Sequence, residues 1–340
     1  MHMADALLSP IIGTTFWAIS GGLTMYAAKK IREEHDPVKT PLMGVLGAFI
    51  FAAQMINFTI PGTGSSGHLG GGLLLAIVLG PYRAFLTLAS VLIMQSLFFA
   101  DGGILALGCN MFNMAFLPAF IAYPLLYRPI TGNSLSSKKI AVGSVVTATA
   151  ALLMGSFSVV VQTVLSGITE LPFNLFVLFM LPIHLAIGIV EGLITWAVLS
   201  FVLKTEPQLL TAQPATARPR FMVAAFMIAA LLTGGLGSWF ASSNPDGLEW
   251  SVAKVTGREE FSRKLETVHE MTAAFQNNIA FLPDYGFKTD KEHTAVSKAN
   301  TLINTGSSVS GIVGALLVLI VAGTAGKLLG RKLSQPTSSE

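Results

Sequence analysis

Met1-His2-Met3 opens the sequence, and His2 gives this end a chemistry that an ordinary fraying terminus lacks. If the chain starts at Met1, three nitrogens lie within two residues: the α-amine, the His2 amide and the His2 imidazole. Three nitrogens on one short segment can chelate a divalent metal in a plane. A fourth completes the square-planar set that copper(II) and nickel(II) favour. The best fourth donor is His68, in the small-residue run Gly64-Ser65-Ser66-Gly67-His68. The plain alternative is that His2 is an exposed terminal residue. Amine and imidazole must both lose protons to ligate, so affinity at such a site would fall below neutral pH.

Other residues carry weaker signals. Gly62 to Gly67 has the spacing of a phosphate-binding loop, but His68 stands where Lys is required and no Ser or Thr follows, so nucleotide binding there is rejected. Asp101-Gly102-Gly103 reads as an outer turn. Asn110 and Asn113 follow it on one helix face. Gln54 with Asn57, and Gln95, repeat the pattern of amides inside apolar runs. Such amides must be satisfied by other protein groups or by a cavity, so interhelical hydrogen bonds and support of a metal site stay equally open. His184 and Glu191 share one face of an apolar run, which favours a structural pair or a partner contact over a metal pair. His269 with Glu266 and Glu270 is read as a solvated helix face rather than a metal site. The single cysteine, Cys109, excludes an internal disulfide and any Cys-based metal site.

The elements that must position these groups are membrane helices. The chain is 52% hydrophobic and 11% charged, against roughly 25% charged for soluble domains. Apolar runs approach the roughly 20 residues needed to cross a bilayer. The expected fold class is therefore all-α and polytopic, with about nine spans: 11–28, 41–58, 69–81, 84–99, 104–126, 140–165, 173–203, 221–240 and 307–326. The third is short for a crossing. Lys and Arg fall in segments 29–40, 81–83, 127–139, 204–220 and 327–340, whereas 59–68, 100–103 and 166–172 have none. By the positive-inside rule the N-terminus lies outside and the C-terminus in the cytoplasm. His2 and His68 then share the outer side. The net charge of +3 is too small and dispersed to point to nucleic acid. A Pro- and Ala-rich stretch, 204–220, reads as a cytoplasmic linker between a module at 1–203 and a second at 221–330. The second has an external loop, 242–306, and 331–340 reads as a disordered tail.

Taken together, these residues resemble the CbiM/NikM family, the substrate-binding components of energy-coupling-factor transporters for cobalt and nickel. Met1-His2-Met3-Ala4-Asp5-Ala6-Leu7-Leu8 keeps the family's His, acid and final Leu, and departs at Met3, Ala6 and Leu7. His68-Leu69-Gly70-Gly71, Gly80-Pro81, Asp101-Gly102-Gly103, Leu107-Gly108, Asn110, and His184 with Glu191 are similar to the rest of its pattern. The second module resembles the PDGLE domain, through Pro245-Asp246-Gly247-Leu248-Glu249 and Pro283-Asp284-Tyr285. It corresponds to the small CbiN/NikN subunit, fused here to the first module.

The resemblance implies a non-enzymatic transport subunit in a prokaryotic cell (inner) membrane. Met1, His2 and His68 would hold nickel(II), the weakly favoured ion, or cobalt(II) as transported substrate, with no permanent cofactor. Asp5, Asp101 and Asn110 would orient those ligands. The implied partners are a transmembrane coupling subunit and two cytoplasmic ATPase subunits. Competing readings are a membrane metalloenzyme or metallochaperone using His184, Glu191 and His269, and a proton-coupled secondary transporter with His184 and Glu191 as the relay. No inverted repeat supports the latter.

Overall fold

Glycine and proline set the breaks between helices in this chain. The computed structural model describes residues 2–34, 36–132, 136–169, 171–211, 219–257, 267–288 and 305–330. Helix α1 covers Pro10–Glu34 and α2 covers Lys39–Gln54. Strands β1 (Phe58–Ile60) and β2 (Ser65–Gly67) pair antiparallel, with Phe58 opposite Gly67 and Ile60 opposite Ser65. Gly62 and Gly64 make the turn in left-handed conformations that other residues rarely adopt.

Helix α3 is short and wholly buried, Gly72–Leu79. Eight residues rise about 12 Å, less than half of the roughly 30 Å hydrocarbon thickness. The stretch expected as the third span, 69–81, is thus a half-length helix inside the bundle. Gly80 (φ 83°) breaks it and Pro81 starts α4, Pro81–Phe99, from the position where proline costs no hydrogen bond. Helix α5, Leu107–Thr131, widens to π-type turns over Phe112–Tyr127, the region that carries Pro118 and Pro124. Prolines lack the N–H that a regular turn uses, which favours such local adjustment.

Helices α6 (Ser137–Ser166) and α7 (Phe173–Thr205) form the longest pair. They touch closely because Gly188 and Gly192 of α7 face the backbone of Thr149 and Val145 with no room for a Cβ. This is the small-residue packing that membrane helices use in place of a hydrophobic drive. Helices α8 (Arg220–Gly235) and α11 (Thr305–Leu329) close the bundle against α2, with Gly44 against the backbone of Leu319 and Gly323. Between them lie α9 (Gly247–Thr256), α10 (Thr267–Ile279) and a tight turn at Pro283–Tyr285.

Among the described residues five helices, α4 to α7 and α11, are long and apolar enough to cross a membrane. The expected eighth span, 221–240, ends its helix at Gly235 and finishes in a separate tight turn, Gly237–Phe240. Of the expected linker, 212–218 lies outside the described residues, as does the tail from residue 331.

Candidate metal site

The N-terminal segment folds back into the bundle and is gripped by its backbone. The Asn110 carboxamide accepts from the Met3 N–H at 2.8 Å and donates to the Met3 carbonyl at 3.2 Å. That carbonyl also accepts from the Gly103 N–H at 2.9 Å. Asp5 accepts from the Ala106 N–H at 3.0 Å and from the Thr272 hydroxyl at 2.7 Å. The Met3 side chain is fully buried. Met1, the expected source of the amine ligand, lies outside the described residues.

Held this way, the His2 ring stacks on the His68 ring, with centroids 5.1 Å apart and planes 19° apart. Metal–imidazole bonds of about 2 Å put two nitrogens that share an ion at most about 4 Å apart, so a shared ion requires one nitrogen of each ring within that reach. His2 Nε2 lies 3.1 Å from Gln95 Oε1, and Nδ1 lies 3.3 Å from Asp101 Oδ1. Asp101 Oδ2 accepts from the Tyr285 hydroxyl at 2.5 Å. The Nδ1–H of His68 donates to the Leu69 carbonyl at 3.2 Å, which makes Nε2 the lone-pair atom of a neutral ring. Burial pushes the His68 imidazole down to about 3. It also lowers His2, against the pull of Asp101. Both rings are therefore neutral near pH 7, the form that ligates metal. Burial, and then the charge and hydrogen bond of Asp101, hold Tyr285 far above the usual phenol range.

The Pro245–Glu249 motif is docked against His68. The Pro245 carbonyl accepts from the Ser66 N–H at 2.8 Å, adding a short parallel bridge to β2. Asp246 caps α9, accepting from the Leu248 and Glu249 N–H groups, while Glu249 reaches back to the Asp246 N–H at 3.1 Å. This reciprocal cap fixes the start of the helix. A Cβ on Gly247 would sit 3.0 Å from His184 Cε1, so only glycine fits without a shift. Leu248 is buried in the core. Each residue of the motif thus has a separate job. Two cavities meet at this point. One is lined by Gly70, Asn113, His184 and Glu191, the other by Gln54, Asp101, Glu249 and Gln276, and His68 and Asp246 line both.

His184 and Glu191 share a helix face but have separate backbone partners. His184 Nδ1–H donates to the Met180 carbonyl at 2.7 Å. Glu191 accepts from the Gly70 and Gly71 N–H groups at 2.9 and 3.1 Å. His269 is not on a solvated face, because it is buried and donates through Nε2–H to the Leu8 carbonyl at 2.8 Å. Its expected companion Glu266 lies outside the described residues. Among the described residues no three His, Cys, Asp or Glu side chains group closely enough to hold an ion by themselves. Asp246 was not among the site residues expected from the sequence, whereas for Gln54 and Gln95 interhelical hydrogen bonding and support of a metal site were left equally open. Their signal was present, since uncharged donors inside apolar runs need a stated partner.

The fold and site define a mostly helical membrane protein with a stacked, half-buried and neutral imidazole pair covered by a second module. The chain belongs to the CbiM family, whose model, described as a cobalt uptake substrate-specific transmembrane region, matches residues 2–209. A PDGLE domain matches residues 220–331. The chain is 33% identical to a putative fused nickel transport protein NikMN of Archaeoglobus fulgidus, over 94% of this chain and 96% of that one. It is 30% identical to a probable fused nickel transport protein LarMN of Lactiplantibacillus plantarum, with the same coverages. A cobalt transport protein CbiM of Clostridium tetani is 31% identical over 60% of this chain and 85% of its own length. A crystal structure of a transition metal transporter superposes with a TM-score of 0.52 at 36% identity, over 60% of this chain and 93% of that chain.

Proposed function

We propose that this chain is the substrate-specific component of a transporter that imports a divalent transition-metal ion. The observation that carries the reading is the stacked, half-buried and neutral pair His2 and His68. The ion is captured on the extracytoplasmic side by His2, His68 and the Met1 amine, with the His2 amide as the fourth nitrogen. A planar nitrogen set rejects magnesium, calcium and manganese, which take oxygen ligands. It favours nickel over cobalt, in keeping with the names of the two fused relatives. Copper(II) stands higher in the affinity order, so its availability in the cell also shapes selectivity.

Of the nine spans expected from the sequence, with the N-terminus outside, the third is represented by the half-length α3. Most of the chain's basic residues lie in the segments assigned to the cytoplasm, and the others lie in the external loop 242–306, which is long enough to cross regardless of charge. Energy comes from a transmembrane coupling subunit and two ATPase subunits, since the sequence has no phosphate-binding loop of its own. The PDGLE module supplies Asp246 and α10 as the cover that seats the N-terminal segment. A proton relay through His184 and Glu191 has little support, because each is committed to a backbone partner.

The test is a nickel and cobalt titration of the purified chain with its native N-terminus. His2→Ala, His68→Ala and a one-residue N-terminal extension are titrated beside it. Tight one-to-one binding lost in all three is expected. Binding that survives the extension removes the amine from the site and sinks the reading.

A further inference from the structure

The hydrogen bonds around His2 form a line whose direction can be read from one end. It begins at the peptide between Gly70 and Gly71. The N–H of that peptide donates to Glu191 Oε1 at 3.1 Å, and its carbonyl accepts from Gln54 Nε2 at 2.8 Å. Both edges of the peptide plane are occupied, by α7 on one side and α2 on the other. The Gly70 N–H, bound to Glu191 Oε2 at 2.9 Å, holds the preceding peptide as well.

A carbonyl can only accept, so the Gln54 amide must present its NH2 group to Gly70. Its oxygen then faces Gln95, which must donate, and Gln95 Nε2 lies 2.8 Å from Gln54 Oε1. The oxygen of Gln95 is left facing His2 Nε2 at 3.1 Å, so that ring nitrogen must carry a hydrogen. Gln54 is 5% exposed and Gln95 is fully buried, so water does not offer an easy substitute partner.

We propose that Gln95, oriented by Gln54 and the Gly70–Gly71 peptide, is a positioning residue that holds His2 as its Nε2–H tautomer and so reserves Nδ1 for the metal. The choice of nitrogen matters. Only Nδ1 can close a six-membered chelate with the His2 main-chain nitrogen, because Nε2 points away from it. Nδ1 also faces the Asp101 carboxylate at 3.3 Å, where a cation on the nitrogen gains a counter-charge. His68 is set the opposite way, with hydrogen on Nδ1 toward the Leu69 carbonyl. The two stacked rings thus hold complementary tautomers. Both are fixed by the same stretch, Leu69 to Gly71, through a one-residue contact for His68 and a two-glutamine relay for His2.

This inference rests on the metal-site reading above, and its test can fail separately. The full-length chain is labelled with 15N-histidine, placed in lipid nanodiscs without metal at pH 8, and read by nitrogen shifts. His2 is assigned by difference from His2→Ala. A protonated Nε2 in the unaltered chain is expected, and a bare Nε2 overturns the proposal. Gln54→Leu and Gln95→Leu should move part of the His2 population to the Nδ1–H form and weaken nickel binding on the order of ten- to a hundredfold. Gln95→Glu keeps an acceptor toward Nε2 and should keep the tautomer. An unchanged tautomer ratio or an unchanged nickel affinity in Gln95→Leu overturns the proposal. If His2→Ala retains nickel binding, the metal reading fails, while the tautomer result is unaffected.

Discussion

Asp5 and Thr272 are joined by a 2.7 Å hydrogen bond across 267 positions of sequence, and this bond ties the N-terminal segment to the second module. Asp5 is held from the first module as well, by the Ala106 N–H. Hydrogen bonds to a charged group contribute about 1.5–3 kcal/mol. Thr272→Val should therefore lower stability by about that amount and speed nickel release. Thermal unfolding and stopped-flow release into a chelator check this, and equal release rates would dismiss the tether.

Asn110 grips both polar groups of Met3, and its own side chain is buried. Asn110→Ala leaves the Met3 N–H without its acceptor. The expected cost is about 1–3 kcal/mol, with nickel affinity reduced because the segment bearing His2 loses its clamp. Calorimetric titration with and without nickel reads both effects.

The pH dependence of folding follows from His68. Its folded form resists protonation down to about 3, whereas an unperturbed histidine protonates at 6.5. Between those values the unfolded chain binds a proton that the folded chain refuses, so stability rises with pH there. The contribution is fully present above about 6.5 and is lost as pH falls toward about 3. His68→Gln should flatten the melting temperature across that window. Identical slopes in the two proteins would show that His68 does not control it.

Gly247 packs where a Cβ would lie 3.0 Å from His184 Cε1 and 3.1 Å from Ile187 Cδ1. Gly247→Ala should destabilise by roughly 1–3 kcal/mol through overpacking. Adding His184→Ala makes room, so the double substitution should cost less than the sum of the two. A thermodynamic cycle measures this coupling, and strict additivity would place the clash elsewhere.

The long helices were legible because lipid leaves the backbone few alternatives, and uninterrupted apolar runs such as those of α6, α7 and α11 announce themselves. The half-length α3 was harder to read. Its apolar run was short for a crossing and stopped at Gly80-Pro81, but hydropathy does not say whether such a run crosses or turns back. The π-widened turns of α5 left no periodic signature either.

In the site, His2 and His68 stood out by residue type and by resemblance, and their rings do meet. Asp246 did not stand out, since a helix-capping aspartate on a distant loop looks like any other until the loop is docked. His269 misled for a related reason. Periodicity identifies a polar helix face, but not whether that face meets water or, as here, the carbonyl of Leu8.

The cover over the site sets an order of events in synthesis. His2 is among the first residues made, whereas His269, Thr272, Gln276 and Tyr285, which hold its segment and the turn beside it, are among the last. At about 5–20 residues per second, the N-terminal segment waits roughly 15–55 s for them. The space around His2 is thus one of the last parts of the molecule to close, and a chain that stops short of α10 lacks what holds it shut.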